Sequence, residues 1–241
     1  MQHAVCRSVT SVERICRRLF QRQWRSALTQ FNPTVEVVAT AGRSELGEGS
    51  MWWPERNTLV FVDIMRGLLN FYDPVAKKLD VHDIRKPIGT VVLRDPACER
   101  TAHFPIVLGT KDGFEEYDPE NRVLRQLVSP EAHIPNNRAN DGKCDPLGRF
   151  WLGTMDIQCA PGAGNLWLLE RDGSVKQRCE SNSFTICNGI VWSQDLKHMY
   201  FADTEAGESC RKWRMLLVWP CSEPCTSTTS TFSPRYTCTR P

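Results

Sequence analysis

Two short sequence phrases alternate along the middle of this chain, and their regular spacing constrains the fold more than any other feature. In one phrase, a strand-like run leads to an acidic turn, at residues 69–74, 114–119 and, more faintly, 166–173. The other phrase is a turn followed by a strand-like run, at residues 53–63, 145–154 and 192–203. A period of roughly 40 to 50 residues with several short strands per unit is typical of β-propeller blades. Among all-β folds, the spacing therefore favours a propeller over a sandwich or a barrel.

The repeat gives an incomplete set of blades. Three blades span about residues 36–85, 90–130 and 137–183, and a fourth begins near Ile186 and stops after Asp203. We therefore interpret residues 34–208 as a partial propeller of about three and a half blades.

The composition changes abruptly at Ser209. Ser, Thr, Pro and four cysteines replace the alternating strand pattern, and such a composition cannot bury a core. The pattern predicts that residues 209–241 form an unrelated, disordered tail. We hypothesise that this chain is a shortened form that arose by alternative splicing or a change of reading frame. The reading frames downstream of Ala206 would test this hypothesis, which fails if none of them encodes propeller-like sequence.

Residues 1–33 also differ from the middle of the chain. Apolar residues recur there with helical spacing, arginines fall on the opposite face, and Glu13 is the only acidic residue. An Arg-rich, acid-poor amphipathic N-terminus resembles a mitochondrial transit peptide. A solvated helix that packs on the domain is the alternative. We treat residues 1–33 as an N-terminal extension that offers mitochondrial import as a second localisation.

Cysteine usage and charge narrow the class of protein. The 11 cysteines show no regular framework and no CxxC pair with a matching histidine pair, so a structural zinc site is not predicted. Scattered free cysteines fit a reducing compartment, and the cytoplasm is the first expectation. The net charge of +2 gives no indication of a nucleic-acid partner. No apolar run approaches the roughly 18 residues of a membrane span, so no membrane partner is expected.

The stretch from Asn137 to Met155 carries the densest polar chemistry. Arg138, Asn140 and Asp141 place a guanidinium, a carboxamide and a carboxylate within four residues, and we predict that they lie on a loop. Polar groups that precede a rigid strand on a loop are typical of binding sites. Ordinary turn chemistry is the alternative interpretation, because Asn-Asp-Gly is a common turn sequence.

A hairpin is predicted directly after these polar residues. Asp145, Pro146 and Gly148 indicate its turn, and the apolar strand that follows is predicted to end at Gly153.

Three motifs resemble the regucalcin/gluconolactonase family, also called senescence marker protein. They occupy residues 45–52 with 59–64, residues 138–146 with 153–155, and residues 187–193. Their order and spacing are similar to those of the family, over roughly residues 36–205. The resemblance implies a six-bladed β-propeller that hydrolyses sugar lactones with a divalent metal ion in its central channel.

The resemblance also implies roles for four residues. Glu48 and Asn188 match metal-ligating positions, and Arg138 and Asn140 match the pair that holds the substrate. Hard oxygen ligands suit Ca²⁺, Mg²⁺, Mn²⁺ or Zn²⁺. Taken alone, Glu48 between two glycines and the dipeptide Asn188-Gly189 would each indicate a turn.

One family ligand, an aspartate that is also proposed as the base, lies beyond the matched region. Asp203 is the nearest acid, but it matches a strand end, and we expect Asp63 and Asp203 to accept backbone hydrogen bonds. The catalytic residue therefore remains unassigned. The short loop at residues 156–164 replaces a longer segment that carries a further substrate-contacting acid in some relatives.

Three functions follow as expectations. The first is metal-dependent hydrolysis of a sugar lactone to the aldonic acid, impaired by shortening. The second is a calcium-binding regulatory propeller without turnover, and the third is a non-enzymatic propeller that binds a protein. The five histidines form no cluster, and no Gly-x-Ser-x-Gly motif of a serine esterase is present.

Overall fold

The computed structural model describes residues 37–38, 42–179, 184–193, 195–196, 199–204 and 213–216. For residues 99, 100 and 213–216 it describes the backbone alone. The predicted N-terminal extension, with its transit-peptide interpretation, lies outside these ranges, as does most of the predicted tail. Within the part described, no helix is long and apolar enough to cross a membrane.

Strands dominate the described residues and form four antiparallel sheets, each connected as a meander. The first sheet contains β1 (Gly47–Trp53), β2 (Thr58–Asp63), β3 (Leu68–Asp73) and β4 (Lys78–Asp83). The second contains β5 (Ile88–Leu93), β6 (Ile106–Thr110), β7 (Gly113–Asp118) and β8 (Val123–Val128). The third contains β9 (Asn137–Cys144), β10 (Phe150–Asp156), β11 (Leu166–Leu169) and β12 (Val175–Gln177). The fourth contains β13 (Cys187–Trp192), β14 (Met199–Thr204) and β15 (Trp213–Leu216). Short 3-10 turns occur at Pro54–Arg56 and Glu99–Ala102.

The first strands of the four sheets lie next to one another in chain order. β1 packs beside β5, β5 beside β9, and β9 beside β13. This is the arrangement of propeller blades, in which the first strand of each blade faces the central axis. The predictions of an all-β fold and of its blades are therefore confirmed. β15 lies inside the segment that was predicted to be tail, and it pairs with β14 as a third strand of the fourth blade.

The core fills the spaces between successive blades, because each strand alternates its side chains between the two faces of its sheet. Between blades 1 and 2, Val62 and Leu69 pack with Leu108 and are inaccessible to solvent. A second cluster around Leu152 joins blades 2 and 3, and a third around Leu168 joins blades 3 and 4. Each such side chain contributes about 1.5–3 kcal/mol when it is buried.

An irregularity of the pairing register recurs in the first strand of every blade. It separates Glu48 from Met51 in β1 and Asn188 from Val191 in β13. Gly49 and Gly189 follow the two polar residues with φ of 61° and 58°, in the left-handed region that favours glycine. Asn188-Gly189 therefore forms a bulge inside a strand and not the turn of a hairpin.

Asp63 and Asp203 occupy equivalent ends of second strands and accept backbone hydrogen bonds, as predicted. The Asp63 carboxylate accepts the N–H groups of Glu45 at 2.9 Å and Leu46 at 3.1 Å. The Asp203 Oδ1 accepts those of Thr185 at 3.0 Å and Ile186 at 2.8 Å. Each aspartate thus fixes the chain that leads into the first strand of its blade.

The five described cysteines are free thiols, and two of them are held protonated by burial. Burial, with a smaller contribution from the Asp145 carboxylate, raises the pKa of the Cys144 thiol to about 11. Burial also raises the pKa of Cys187, which lies inside the core between blades 3 and 4.

Alkaline pH should therefore destabilise the fold through Cys144. Because the pKa of the thiol is higher in the folded state than in the unfolded state, Cys144 contributes stability that is fully present below the unfolded pKa of about 9. This contribution, about 2–3 kcal/mol of unfolding free energy, is lost as the pH rises to about 11. We expect the loss of unfolding free energy between these pH values to be smaller by that amount in Cys144→Ala, measured by urea unfolding. Cys98→Ala, which changes an exposed thiol, is the control. An unchanged pH dependence in Cys144→Ala would contradict the prediction.

Candidate functional site

The hairpin of the third blade carries the cluster of polar side chains formed by Arg138, Asn140 and Asp141. Its predicted turn is confirmed, because Gly148 N donates to Asp145 O at 2.9 Å and Asp145 Oδ1 accepts the N–H groups of Leu147 and Arg149. Two details of the prediction are wrong. Residues 137–144 form strand β9 and not a loop, and the following strand β10 continues past Gly153 to Asp156. The polar residues pair with β10 across a bulge. The Asn-Asp-Gly sequence therefore belongs to a sheet, although its composition is typical of a turn.

Arg138 and Asn140 contact each other directly. Arg138 Nη1 donates to Asn140 Oδ1 at 3.0 Å and to the Ala139 carbonyl oxygen at 2.8 Å. Asn140 Nδ2 then donates to the Cys187 carbonyl oxygen in the fourth blade at 2.9 Å. The predicted substrate pair is therefore a bonded unit that joins two blades, and the carboxamide keeps one free N–H for a ligand.

Asp141 completes the link between β9 and β13. Its Oδ2 accepts the N–H of Gly189 at 2.8 Å, and its Oδ1 accepts that of Gly142 at 2.8 Å. Bonds from Asn140 and Asp141 thus reach the residues on both sides of Asn188, and they fix the bulge that presents its carboxamide. The sequence placed Asp141 among the clustered polar side chains but gave it no individual role. Its position between Asn140 and Gly142 was the one indication that it belongs to the site.

Close approach of the second blade fixes the other side of β9. A Cβ atom on Gly89 would lie 2.4 Å from the Ala139 and Asn140 carbonyl oxygens, so only glycine fits there. Thr90 Oγ1, beside it, donates to the Gly142 carbonyl oxygen at 3.0 Å. The backbone that carries Arg138 and Asn140 is therefore held from both neighbouring blades.

Glu48 lies on the first blade, whereas Arg138, Asn140 and Asn188 lie on the third and fourth. Glu48 is exposed and is the second residue of β1. Its position in the pairing with β2 corresponds to that of Asn188 in the pairing of β13 with β14. β5 and β9 lie between the two strands, and within the described residues no hydrogen bond joins Glu48 to Arg138, Asn140 or Asn188. The structure thus brings three of the predicted site residues together and leaves the fourth on another blade.

The donor set fits a divalent metal ion in type but not in number. Glu48 offers a carboxylate and Asn188 a carboxamide oxygen, which already accepts the Gly189 N–H at 3.0 Å. Among the described residues, no group of three or more His, Cys, Asp or Glu could hold a metal ion. Two hard oxygen donors on separate blades are fewer than the roughly six to eight ligands of Ca²⁺, so water or substrate would have to complete such a site.

Burial sets the electrostatics of Arg138. Its side chain is only 6% exposed, and desolvation lowers the pKa of the guanidinium, opposed by the nearby Cys159 thiol. Cys159 lies in the short loop between β10 and β11 with φ of 60°, an unusual conformation for a residue other than glycine. The site therefore combines a buried cation with a thiol-bearing loop.

Removal of the Asp141 carboxylate should loosen the bulge at Asn188. We expect Asp141→Ala to cost about 0.5–1.5 kcal/mol of unfolding free energy, because a part-buried and an exposed amide lose a charged acceptor, although Gly189 N–H keeps Asn188 Oδ1. We also expect faster hydrogen exchange at the Gly189 amide, measured by NMR. Asp172→Ala, at an exposed turn, should leave Gly189 exchange unchanged. Unchanged Gly189 exchange in Asp141→Ala would refute the positioning role.

Known proteins match the region that contains the site. A family model described as SMP-30/Gluconolactonase/LRE-like region matches residues 46–212. Regucalcin of Xenopus laevis is 33% identical over 165 residues, which cover 66% of this chain and 52% of that protein. Among solved structures, a luciferin-regenerating enzyme is 34% identical with a TM-score of 0.63, covering 72% of this chain and 57% of that one. A calcium-binding protein, regucalcin, from Agrobacterium tumefaciens is 26% identical with a TM-score of 0.59, covering 67% and 51%. The chain thus spans about half the length of these relatives.

Proposed function

Because the chain belongs to the SMP-30/gluconolactonase/LRE-like family, we propose that it binds a sugar lactone beside β9 and hydrolyses it to the open-chain acid. The bonded pair Arg138–Asn140 carries the proposal, since it combines directed donors with a rigid support from two blades. Because the chain spans about half the length of these relatives, we also propose a lower rate than that of a complete six-bladed relative.

Arg138 would orient the lactone and stabilise the charge that develops on its carbonyl oxygen. Its guanidinium has five N–H donors, and only Nη1 has acceptors among the described residues. In the reaction, the oxygen of water bonds to the carbonyl carbon, the bond from that carbon to the ring oxygen breaks, and the ring oxygen takes up a proton. Donors that are fixed before the reaction stabilise such a carbonyl oxygen most effectively.

Asn140 would position the sugar and not the reacting water. Its Oδ1 accepts from Arg138 and one Nδ2 hydrogen goes to Cys187, so the remaining N–H and lone pair are oriented by the protein. A carboxamide held in this way can distinguish a hydroxyl group from hydrogen at one sugar position.

Glu48 and Asn188 are the residues that would hold a divalent ion. When bound, such an ion polarises the carbonyl group and lowers the pKa of bound water. Calcium binding without turnover is the second candidate function, favoured by the oxygen donors and by the calcium-binding relative from Agrobacterium tumefaciens. A protein-binding propeller without an enzymatic role is the third.

One assay separates these functions. Acid release from a neutral aldonolactone is followed with a pH indicator, with no added metal and with Mn²⁺, Zn²⁺ or Ca²⁺, above the spontaneous rate. Calorimetry measures ion binding in parallel, and circular dichroism verifies folding. We expect metal-dependent turnover that falls at least about 10-fold in Glu48→Ala and Asn188→Ala, by analogy with losses at metal shells. Ser50→Ala, an exposed neighbour on β1, is the control.

The outcomes assign the function. Turnover that is independent of metal and unchanged in both variants contradicts the assigned metal ligands. Ion binding without turnover favours the calcium-binding function, and a folded chain with neither property leaves the protein-binding function.

A further inference from the structure

Arg138 is a buried cation without an anionic partner in the described part of the chain. Its two acceptors, the Ala139 carbonyl oxygen and Asn140 Oδ1, are both neutral. Its Nε is buried and has no hydrogen-bond acceptor. A buried charge that lacks a counterion destabilises the folded state, so Arg138 lowers the stability of the chain.

The carboxylates nearest to Arg138 along its own hairpin are committed elsewhere. Asp141 accepts the amides of Gly142 and Gly189. Asp156, which ends the paired strand β10, accepts the amides of Gln158 and Ala160. Both carboxylates satisfy backbone donors, and neither forms an ion pair with Arg138.

The third carboxylate of the region is also committed. Glu131 Oε1 accepts Thr154 Oγ1 at 2.9 Å, Asn165 Nδ2 at 2.6 Å and Trp167 Nε1 at 2.9 Å. Its Oε2 accepts Asn137 Nδ2 at 3.1 Å. Glu131 therefore joins strands β9, β10 and β11 of blade 3.

The loop between β10 and β11 supplies no carboxylate to Arg138. Residues 157–164 contain no acidic side chain. This loop therefore provides no ion-pair partner for Arg138.

We propose that the ligand at Arg138 carries an anionic oxygen group, a carboxylate or a phosphate, in addition to its lactone ring. This inference rests on the proposed function and narrows its substrate class to acidic sugar lactones. The anionic group pairs with the guanidinium through charge-assisted hydrogen bonds, which are roughly twice as strong as neutral ones. The Nη2 group, which has no acceptor among the described residues, offers two N–H donors to the oxygens of such a group.

Binding of inert analogues tests the inference without turnover. Calorimetry on the full chain compares an aldarate, with a carboxylate at each end, a phosphorylated aldonate, an aldonate with one carboxylate, and a neutral alditol. Because one charged hydrogen bond is worth roughly 1.5–3 kcal/mol, we expect the best anionic analogue to bind at least about 10-fold more tightly than the alditol. In Arg138→Met the ratio should fall to about 1. Arg66→Met, at an exposed arginine between β2 and β3, should keep the wild-type ratio.

Turnover gives the second arm. An aldaric monolactone and a phosphorylated aldonolactone are compared with a neutral aldonolactone, and we expect kcat/KM at least about 10-fold higher for one acidic lactone. The acidic lactone with the higher kcat/KM identifies whether the anionic group is a carboxylate or a phosphate. Equal affinities in wild type, or a preference that persists in Arg138→Met, overturns the inference. Hydrolysis of neutral lactone without an anion preference overturns this inference alone, whereas anion binding without any hydrolysis supports it and overturns the proposed function.

Discussion

Glu116→Ala is expected to lower the free energy of unfolding by about 3–5 kcal/mol, because the substitution leaves the mostly buried charge of Arg94 without its counterion. Glu116 lies in the middle of β7 and its side chain is inaccessible to solvent. Its Oε2 pairs with Arg94 Nη1 at 2.7 Å, and Oε1 pairs with Arg125. Arg94 is only 14% exposed, so little water can replace the lost carboxylate.

The matched control for this change is the exposed pair Arg56–Glu120. Glu120 is 69% exposed and Arg56 is 40% exposed, so Glu120→Ala should cost less than about 1 kcal/mol. Urea unfolding of the two variants gives the comparison. Glu116→Gln, which keeps the shape of the side chain, should have an intermediate cost. Similar small costs for Glu116→Ala and Glu120→Ala would show that the buried pair does not hold the second blade.

Arg138→Met is expected to lower kcat/KM for the preferred lactone by about 100- to 1,000-fold, comparable to the loss of one fixed donor to a carbonyl oxygen. The free energy of unfolding should stay constant or increase, because the variant replaces a desolvated cation by an apolar side chain of similar length. Arg138→Lys should recover little of the rate, since an ammonium group cannot form the two-pronged contact of a guanidinium.

The combination of these two measurements tests the role of Arg138. Lost activity with preserved stability supports a residue that contacts the ligand. A parallel loss of activity and stability would instead indicate that Arg138 supports the fold, and full activity in Arg138→Met would remove it from the site. Gln158→Ala, in the neighbouring loop, is the control for activity.

Much of the fold could be predicted because each blade repeats a local pattern. Turn residues and alternating apolar residues gave the blades, and the family resemblance is confirmed by the family model that covers residues 46–212. Asp63 and Asp203 were predictable as structural residues, since Asp63 ends β2 and Asp203 is the second-last residue of β14. The domain boundaries at residues 33 and 208 remain predictions.

The errors arose where local chemistry was compatible with two structures. Asn140-Asp141-Gly142 has turn composition, but pairing with β10 placed it in a strand across a bulge. Asn188-Gly189, which indicates a hairpin turn only when taken alone, likewise forms a bulge in β13. Sheet pairing satisfied the backbone in both places, so no turn was required.

The sequence by itself determined the strands, their repetition and the chemical types of the site residues, because these depend on neighbours in the chain. Only the tertiary structure decided which groups meet. It joined Asn140 to Cys187 and Asp141 to Gly189 across two blades, and left Glu48 on another. It also buried Arg138 without a carboxylate partner among the described residues. These contacts depend on how closely blades approach at residues such as Gly89, and that distance is set by packing between distant parts of the chain.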